Sequence, residues 1–250
     1  MKFDPHIHSI YSGDARSKPK DIIKQSMKVG LDAIAISDHN SFKGSVEARE
    51  LSKNIDDFLV IPSIELSSKE GHILAIGVEN LIPKNLSSEE TLERIHDEGG
   101  IAIIPHPFSP YRHGLFFKNR KIIKRLFGPD SRKYEKNSSM GGIEGTMGHK
   151  LIEGVEVLNA RYILGFSNFK ANRLAKKYNL AKIGASDSHF LESIGDCYTE
   201  ISDDYIGSEA SVDDVIEAIR SKKTMAKGSR TSNRLIAKEV FNKKIRRIYL

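Results

Sequence analysis

The sequence contains a single cysteine, Cys197, and this scarcity of thiols excludes several classes of site. One cysteine cannot build an intrachain disulfide framework, an iron–sulfur cluster or a cysteine-based zinc finger. Any metal would therefore be held by histidine, aspartate and glutamate. The lack of disulfides, and of an apolar signal-peptide core in the first residues, predicts a cytoplasmic protein.

Long apolar segments are also lacking. The longest runs, such as IAII at 101–104, fall far short of the roughly 20 residues that span a bilayer. Apolar residues make up 39% of the 250 residues and charged residues 29%, as in ordinary globular proteins. A chain of this length can bury a substantial core, and we predict a single domain over residues 1–250.

Acidic residues are scarce in two segments, although the whole chain carries a net charge of only +6. The segment Lys118–Lys136 contains eight basic and two acidic residues, and residues 222–250 contain ten basic residues and one acidic residue. Each segment could be the solvated side of a helix, or it could attract a polyanion such as a nucleotide or nucleic acid. The C-terminal segment could also be an amphipathic helix whose apolar side, including Ile236 and Phe241, packs on the core.

Short apolar, β-branched segments alternate with amphipathic segments along the chain. We predict strands at 2–8, 33–37, 58–62, 72–77, 101–105, 154–158, 181–185 and 198–202, and helices at about 19–29, 42–54, 87–98, 166–178, 211–221 and 232–247. This alternation predicts a parallel α/β fold, and seven or eight units in 250 residues favour a single (β/α) barrel. Residues 107–152 interrupt the alternation, which predicts a long insertion before the sixth strand.

Histidines and carboxylates occur at the ends of the predicted strands. Six of the nine histidines lie at or just beyond a strand end, with carboxylates beside them: His6, His8, His39, His72, His106 and His189, with Asp38, Glu65 and Asp187. In a parallel barrel the carboxyl ends of the strands open on one face, so these side chains would converge. Burial of such groups without partners would be costly. Coordination of zinc, manganese or iron explains the set most economically.

These ordered motifs resemble those of the PHP-domain (polymerase and histidinol phosphatase) superfamily. The residues that carry the resemblance are HIHS at 6–9 followed by Asp14, ISDHNSFKG at 36–44, Glu65 in IELSS, His72 in GHILAIG, IPHP at 104–107 and GASDSH at 184–189. They extend over most of the chain, and the similarity is greatest to stand-alone metal-dependent phosphoesterases. The resemblance implies one distorted (β/α)7 TIM-like barrel that binds two to three divalent transition metals.

The resemblance also implies how the ligands divide among the metals. The first site would contain His6, His8, Glu65 and Asp187, the second would share Glu65 and add His72 and His106, and the third would contain Asp14, His39 and His189. Asp4 and Asp38 would support these ligands or a helix end, and Asp4 could equally be a turn residue. The remaining histidines match no motif: His96, His113 and His149.

The implied reaction is hydrolysis of a phosphate ester. A hydroxide that bridges two of the metals would attack phosphorus, and Glu65 would be the ligand that those metals share. The leaving group could be protonated by Asp187, by His189 or by a metal-bound water, and these alternatives stay open.

Substrate choice would depend on residues other than the metal ligands. Arginine suits phosphate recognition, so Arg16, Arg112 and Arg161 are candidate substrate contacts, although each could instead be a surface residue. Phe108 and Tyr111 could stack on a base or pack within the insertion. The basic segments favour a nucleotide or short oligonucleotide as the substrate. Two alternatives remain: a phosphatase for a small metabolite such as histidinol phosphate, and a non-catalytic, metal-pinned module that binds nucleic acid.

Overall fold

The computed structural model describes residues 1–117, 121–127, 151–162, 165–203, 205–206, 210–238 and 241. Within them are ten strands: β1 (Lys2–Ile7), β2 (Ala33–Ile36), β3 (Leu59–Val60), β4 (Ser63–Ser67), β5 (His72–Ile76), β6 (Ile101–Ile104), β7 (Gly154–Asn159), β8 (Ala181–Ala185), β9 (Cys197–Ile201) and β10 (Thr224–Gly228). The same residues contain six α-helices with defined bounds: α1 (Pro19–Lys28), α2 (Lys43–Ser52), α3 (Ser88–Asp97), α4 (Lys121–Phe127), α5 (Phe166–Tyr178) and α6 (Val212–Arg220). Residues 233–238 are also helical. No helix in this part of the chain is long and apolar enough to cross a membrane.

Two helices begin at the residues that local signals predict. Pro19 opens α1, where a proline loses no intrahelical hydrogen bond. The Ser87 side chain accepts a hydrogen bond from the Glu90 amide at 3.2 Å and caps α3.

The strands form two five-stranded sheets and not one closed barrel. The first sheet has the order β10–β9–β1–β2–β3, and the second has the order β4–β5–β6–β7–β8. Strands β1, β2 and β3 are parallel, as are β6, β7 and β8, whereas the other pairings are antiparallel. The α/β class is therefore confirmed, but the (β/α)7 barrel is not, and the expectation of a wholly parallel sheet is wrong.

The predicted strand at 58–62 is shortened to β3 by a proline, and β4 follows it as a strand that was not predicted, which accounts for part of this difference. The apolar segment 58–62 ends in Pro62, and proline cannot donate a hydrogen bond to a neighbouring strand. The chain therefore leaves the first sheet after β3 and begins the second sheet with β4. Only four residues separate β4 from β5, and a parallel connection would need a crossover of about a dozen residues or more. These two strands consequently form an antiparallel hairpin.

Two isolated bridges join the two sheets beyond the ends of their strands. Ile7, at the end of β1, pairs with Ser188 beyond β8, and His39, beyond β2, pairs with Glu65 of β4. The His8 amide strengthens the first bridge by donating to the Ser188 carbonyl at 2.8 Å. The carboxyl ends of β1, β2 and β8 therefore lie beside β4.

Part of the 107–152 insertion packs into the core. Leu115 and Phe116 are buried together with Ile122 and Leu126 of α4, in a cluster that also contains side chains of β4–β7, α3 and α5. The spacing of four between Ile122 and Leu126 places both on one side of the helix. Sequence analysis did not predict α4, because lysine and arginine separate its apolar residues. Residues 128–150, and most of the basic segment Lys118–Lys136, lie outside the described residues.

The C-terminal basic segment differs from the predicted amphipathic helix. Its first part forms β10, which pairs antiparallel with β9. This strand was not predicted, because TMAKG has no alternation of apolar and polar residues. Ile236 is buried as expected, whereas Phe241 is 64% exposed, so its predicted inward position is wrong. Residues 239–240 and 242–250 lie outside the described residues.

Phe116→Ala should lower the free energy of unfolding by about 3–5 kcal/mol, because large core side chains leave cavities when truncated. The Phe116 ring is fully buried and packs against Phe108 and Phe127. Phe117 is 47% exposed, so Phe117→Ala is the matched control and should cost less than about 1 kcal/mol. Urea unfolding followed by circular dichroism measures both values. Equal values would contradict the assignment of this segment to the core.

Candidate metal centre

The nine predicted ligands come together where the two sheets meet. One nitrogen or oxygen atom of each residue lies within 4.8 Å of the others in four groups: His8, Asp14, His39 and His189; His6, His8 and Asp187; His6, Glu65 and His106; and His39, Glu65 and His72. These groups contain all nine residues, although they do not divide them in the way that the sequence implied. The shared members, His6, His8, His39 and Glu65, make the four groups one continuous cluster.

Glu65 lies at the centre of the cluster and is fully buried. Its Oε1 atom lies 2.9 Å from Nδ1 of His72 and 3.0 Å from Nε2 of His106, while Oε2 lies 2.9 Å from Nδ1 of His39. Burial disfavours the charged carboxylate, but the fields of His72, His39 and His6 outweigh burial. They hold the pKa of Glu65 well below its usual range. Glu65 is therefore a buried anion that needs positive charge around it.

The hydrogen bond of His6 directs one ring nitrogen at the cluster. Nδ1 of His6 lies 2.7 Å from Oε1 of Glu156, and an ionised carboxylate only accepts, so Nδ1–H donates. Neutral His6 therefore carries its lone pair on Nε2, which lies 2.9 Å from Nε2 of His8 and 3.5 Å from Oε2 of Glu65. A histidine that binds a metal commonly donates its other N–H to a carboxylate in this way.

Several buried polar atoms of the cluster also fit a bound metal. Among the described residues, Oε2 of Glu65 and the Nδ1 atoms of His39 and His106 are buried and make no hydrogen bond of acceptable geometry. Buried polar atoms without partners are rare, because they lose the hydrogen bonds that water would give them. Coordination by a divalent metal would satisfy Oε2 of Glu65 and Nδ1 of His39, which lie 2.9 Å apart, and a set of imidazoles and carboxylates suits zinc, manganese or iron.

Asp187 connects the cluster to two arginines. Its carboxylate accepts from a guanidinium N–H of Arg112, and its Oδ1 atom lies 3.7 Å from Nη1 of Arg161. Burial alone would raise the pKa of Asp187, but the charges of Arg112, His6 and Arg161 outweigh burial and hold this pKa well below its usual range. Two guanidinium groups therefore lie at the edge of the candidate metal centre.

The backbone is strained at three positions around the cluster. Asn40, His106 and Asp187 have φ values of 51°, 29° and 51°, in the left-handed region that residues other than glycine rarely adopt. His106 and Asp187 each lie two residues beyond a strand, and Asn40 follows His39, which bridges to Glu65. Strain of this kind persists where surrounding contacts enforce it, and it is concentrated at functional sites.

Sequence analysis missed two buried polar residues of β7, Glu156 and Asn159. Besides His6, Glu156 accepts hydrogen bonds at 2.7 Å from the His106 amide and from the Asn159 side chain. Asn159 also donates to Asp187 at 3.1 Å. The sequence did contain a signal for Glu156, because it is an acid within the apolar strand GVEVL. A buried acid almost always has a polar partner. These residues orient the candidate ligands.

Asp4 and Asp38 hold the loops that carry candidate ligands. Asp4 lies within β1, not in a turn, and accepts from the amides of Ser186 at 3.1 Å and Gly195 at 3.2 Å. Asp38 accepts from the amide and the hydroxyl of Ser9, both at 2.6 Å. Burial raises the pKa of Asp4 to about 7 and that of Asp38 to about 6.

The three predicted substrate arginines occupy different environments. Arg112 and Arg161 reach the cluster with side chains that are 19% and 12% exposed, and Arg112 also lies over the Tyr162 ring, with Cζ 4.9 Å from its centroid. Arg16 is exposed on the loop that precedes α1. Two of the three arginines are therefore adjacent to the candidate metal ligands.

The aromatic residues of the insertion divide between packing and exposure. The Phe108 ring packs against Phe116, with centroids 6.0 Å apart, whereas Tyr111 is 89% exposed. Of the two alternatives for these residues, packing fits Phe108, and Tyr111 is the ring that remains accessible to a base.

The three histidines outside the motifs also differ from one another. His96 is partly buried: its Nε2 atom donates to the Leu151 carbonyl at 3.1 Å and lies 3.3 Å from Glu153. The exposed His113 ring lies 5.3 Å from the ring of His72, at the edge of the cluster. His149 lies outside the described residues.

Comparison with known proteins identifies the family of this α/β protein with its histidine–carboxylate cluster. The PHP domain model matches residues 4–164, and the PHP-associated model matches residues 165–224. The chain therefore belongs to the PHP domain family. An uncharacterised protein of Methanocaldococcus jannaschii is 42% identical over 188 residues, which cover 71% of this chain and 93% of that protein.

Solved structures share the fold at low sequence identity. A two-domain protein of Bacteroides vulgatus that contains a predicted PHP-like metal-dependent phosphoesterase is 18% identical, with a TM-score of 0.66 over 97% of this chain and 69% of that chain. Endonuclease Q, in complex with a duplex that carries an abasic lesion, is 18% identical, with a TM-score of 0.57 over 88% of this chain and 56% of that chain. Family membership and the PHP-like fold support a hydrolase that acts on phosphate esters.

Glu156→Gln should weaken metal binding by about 10–100-fold, because a partner that orients a ligating histidine contributes about that much. The matched control is Glu153→Gln, which changes a carboxylate that bonds Ala102 and His96 outside the cluster. Metal content after dialysis against graded chelator, measured by inductively coupled plasma mass spectrometry, compares the two. If both variants retain metal as wild type does, Glu156 has no role in holding His6.

Proposed function

We propose that the protein is a metal-dependent phosphoesterase whose substrate is a nucleotide or short oligonucleotide. The observation that carries the proposal is the mostly buried cluster of nine candidate ligands around Glu65, with two arginines at its edge. Hydrogen bonds within the cluster leave Oε2 of Glu65 and Nδ1 of His39 without a partner of acceptable geometry, and a bound metal would compensate these atoms for the hydration they lose.

The proposed ligands are those that the sequence implied. One metal would be held by His6, His8, Glu65 and Asp187, a second by Glu65, His72 and His106, and a third by Asp14, His39 and His189, as the resemblance implies. All of these residues belong to the observed cluster. Bound divalent metals would supply Lewis acidity at a phosphoryl oxygen and would activate water for attack. Glu65 would hold two of the metals close together. Asp187, His189 and a metal-bound water are the proposed proton donors to the leaving group, and the low pKa of Asp187 favours the other two.

The arginines would position the phosphate. Arg112 and Arg161 place two guanidinium groups beside Asp187, where their N–H groups could also contact phosphate oxygens. Arg16, on its exposed loop, would contact only a part of the substrate that extends out of the site.

A nucleotide substrate is supported by charge and by one structural neighbour. The two basic segments would raise the local concentration of a polyanion. Endonuclease Q, which shares the fold, was solved with a nucleic acid duplex. A small phosphorylated metabolite is the alternative, and it would not need the basic segments.

We also propose that residues 1–250 act as one domain. The PHP and PHP-associated matches meet at residues 164 and 165. Strand β1 of the first region pairs with β9 of the second, through Lys2 with Glu200 and Phe3 with Thr199. The two regions therefore share a sheet and would unfold together.

Glu65→Gln should abolish nearly all hydrolysis of p-nitrophenyl phosphate by the metal-loaded protein, because a neutral amide offsets the charge of two cations poorly. Chelation of the metals should have the same effect on wild type, and added zinc or manganese should restore activity. The control is Glu79→Gln, which alters a carboxylate paired with Arg49 on the surface. Activity of Glu65→Gln within about threefold of wild type would contradict this role, as would activity that survives chelation; a threefold difference is about 0.7 kcal/mol of barrier.

Arg112→Lys should raise KM for a nucleoside monophosphate about tenfold or more, because lysine cannot make the bidentate contact of a guanidinium. The control is Arg125→Lys, since Arg125 pairs with Glu70 and Glu89 away from the cluster. Steady-state kinetics with nucleoside monophosphates and with histidinol phosphate measures the change for each substrate. An unchanged KM in Arg112→Lys for every substrate would remove Arg112 from substrate binding.

A further inference from the structure

Helix α5 combines positive charge with exposed aromatic rings. It contains no acidic residue and four basic ones: Lys170, Arg173, Lys176 and Lys177. Phe166 and Phe169 are 63% and 58% exposed. These rings are not needed for packing, because other residues of α5 form the buried side of the helix: Asn168, Ala171, Leu174, Ala175 and Tyr178.

The aromatic and basic residues form one stripe along the helix. Nζ of Lys170 lies 4.3 Å from the centroid of the Phe166 ring, and Cζ of Arg173 lies 5.9 Å from the centroid of the Phe169 ring. Each pair is four residues apart, which places its members on the same side of a helix. Exposed apolar residues that are scattered singly over a surface are common and need no explanation. Here two exposed rings, each paired with a cation, lie on the same surface, which suggests a binding site.

The start of this helix is attached to the candidate metal centre. The Asn168 side chain accepts from the Asn159 amide at 3.1 Å and donates to the Asn159 carbonyl at 3.3 Å. Asn159 in turn donates to Asp187, a candidate metal ligand, at 3.1 Å. The N-terminal end of α5 therefore lies next to a residue that bonds a candidate metal ligand.

A groove adjoins Phe169, between α5 and the strands β7, β8 and β10. It has a volume of about 400 Å³ and is lined by Phe169 and Asn172 of α5, Lys182 of β8 and Met225 of β10. This volume lies within the range of small-ligand sites. An apolar ring, an amide and a lysine together suit a flat heterocycle with an attached phosphate.

We propose that α5 and this groove bind the unpaired nucleotides of a single-stranded nucleic acid substrate. Bases would stack on Phe166 and Phe169, and Lys170, Arg173 and Lys176 would contact the phosphates, as in other surfaces that bind single strands. The 13-residue helix is about 20 Å long, the length of roughly six stacked nucleotides. This inference rests on the proposed function and names the substrate class of the same site.

The charge of α5 selects a polyanion over the other possible occupants. A second copy of this chain that used the same surface would bring two sets of cations together, and like charges across an interface are repulsive. A duplex would satisfy the cations but would offer no unpaired base for the rings. A single strand satisfies both the cations and the rings.

Fluorescence anisotropy with a labelled, phosphorothioate-linked oligothymidylate, which resists hydrolysis, tests the proposal on the protein as purified. Phe169→Ala and Phe166→Ala should each weaken binding roughly five- to a hundredfold, the range measured for one stacked base. Neither change should alter the salt dependence. The double variant Arg173→Glu/Lys176→Glu should bind weakly at low salt and show a shallower dependence on salt, because fewer counterions are released. Wild type should bind the single strand more tightly than a duplex of equal length.

Matched controls lie on α1, another surface helix with exposed lysines. Met27 is 45% exposed, and Lys24 and Lys28 are exposed. Met27→Ala and Lys24→Glu/Lys28→Glu should therefore leave oligothymidylate binding within about twofold of wild type, as expected for surface changes away from a site. Circular dichroism melting checks that all variants are folded.

Three results would overturn the proposal. They are α5 variants that bind the single strand as tightly as the controls do, phenylalanine variants that weaken duplex and single-strand binding equally, and α5 variants that change the oligomeric state in light scattering. The last result would make α5 a protein–protein surface. The binding assay needs no turnover, so single-strand binding that does not depend on α5, together with intact hydrolysis, rejects this inference alone. Intact binding without hydrolysis of any phosphate ester rejects the proposed function alone.

Discussion

The buried negative charge of Glu65 is the constraint on which the rest of the site depends. An ionised carboxylate with no exposed surface is costly unless positive charge or hydrogen bonds surround it. Imidazole nitrogens of His72, His106 and His39 lie within 3.0 Å of its two oxygens. These imidazoles alone do not fully compensate the buried charge of Glu65, because its Oε2 atom still lacks a hydrogen bond of acceptable geometry. Divalent metals would supply the positive charge that the Glu65 carboxylate still lacks, so the set of donor atoms fits a metal centre.

This constraint also accounts for how the two sheets meet. Glu65 stands on β4 of the second sheet, while His6 and His39 come from the ends of β1 and β2 in the first sheet. The backbone bridge between His39 and Glu65 brings these groups together without a closed barrel. Asp4 and Asp38 then fix the neighbouring loops through backbone hydrogen bonds. The packing of the strand ends and the charge of the site are therefore parts of one arrangement.

The sequence places the nine candidate ligands in short motifs, most of them beside apolar strands, and the structure brings these residues together in one cluster. The sequence also predicted five of the helices to within about two residues, a usual disagreement at helix ends. It could not predict which strands pair, since β1 bonds to β9 almost 200 residues away. Glu156 was missed for the same reason: its partner His6 lies 150 positions earlier in the chain. The stripe on α5 could not be predicted either, because the spacing of apolar residues does not show that the Phe166 and Phe169 rings are exposed.

The most direct measurement is anomalous X-ray diffraction from crystals of the protein loaded with manganese or zinc, recorded on both sides of the metal absorption edge. Two or more anomalous peaks should lie within the cluster, and the Glu65 carboxylate should contact two of the metals. Soaking with chelator should remove these peaks while the two sheets keep their positions. Peaks located elsewhere on the protein, or a cluster that stays free of metal at saturating concentration, would contradict the account.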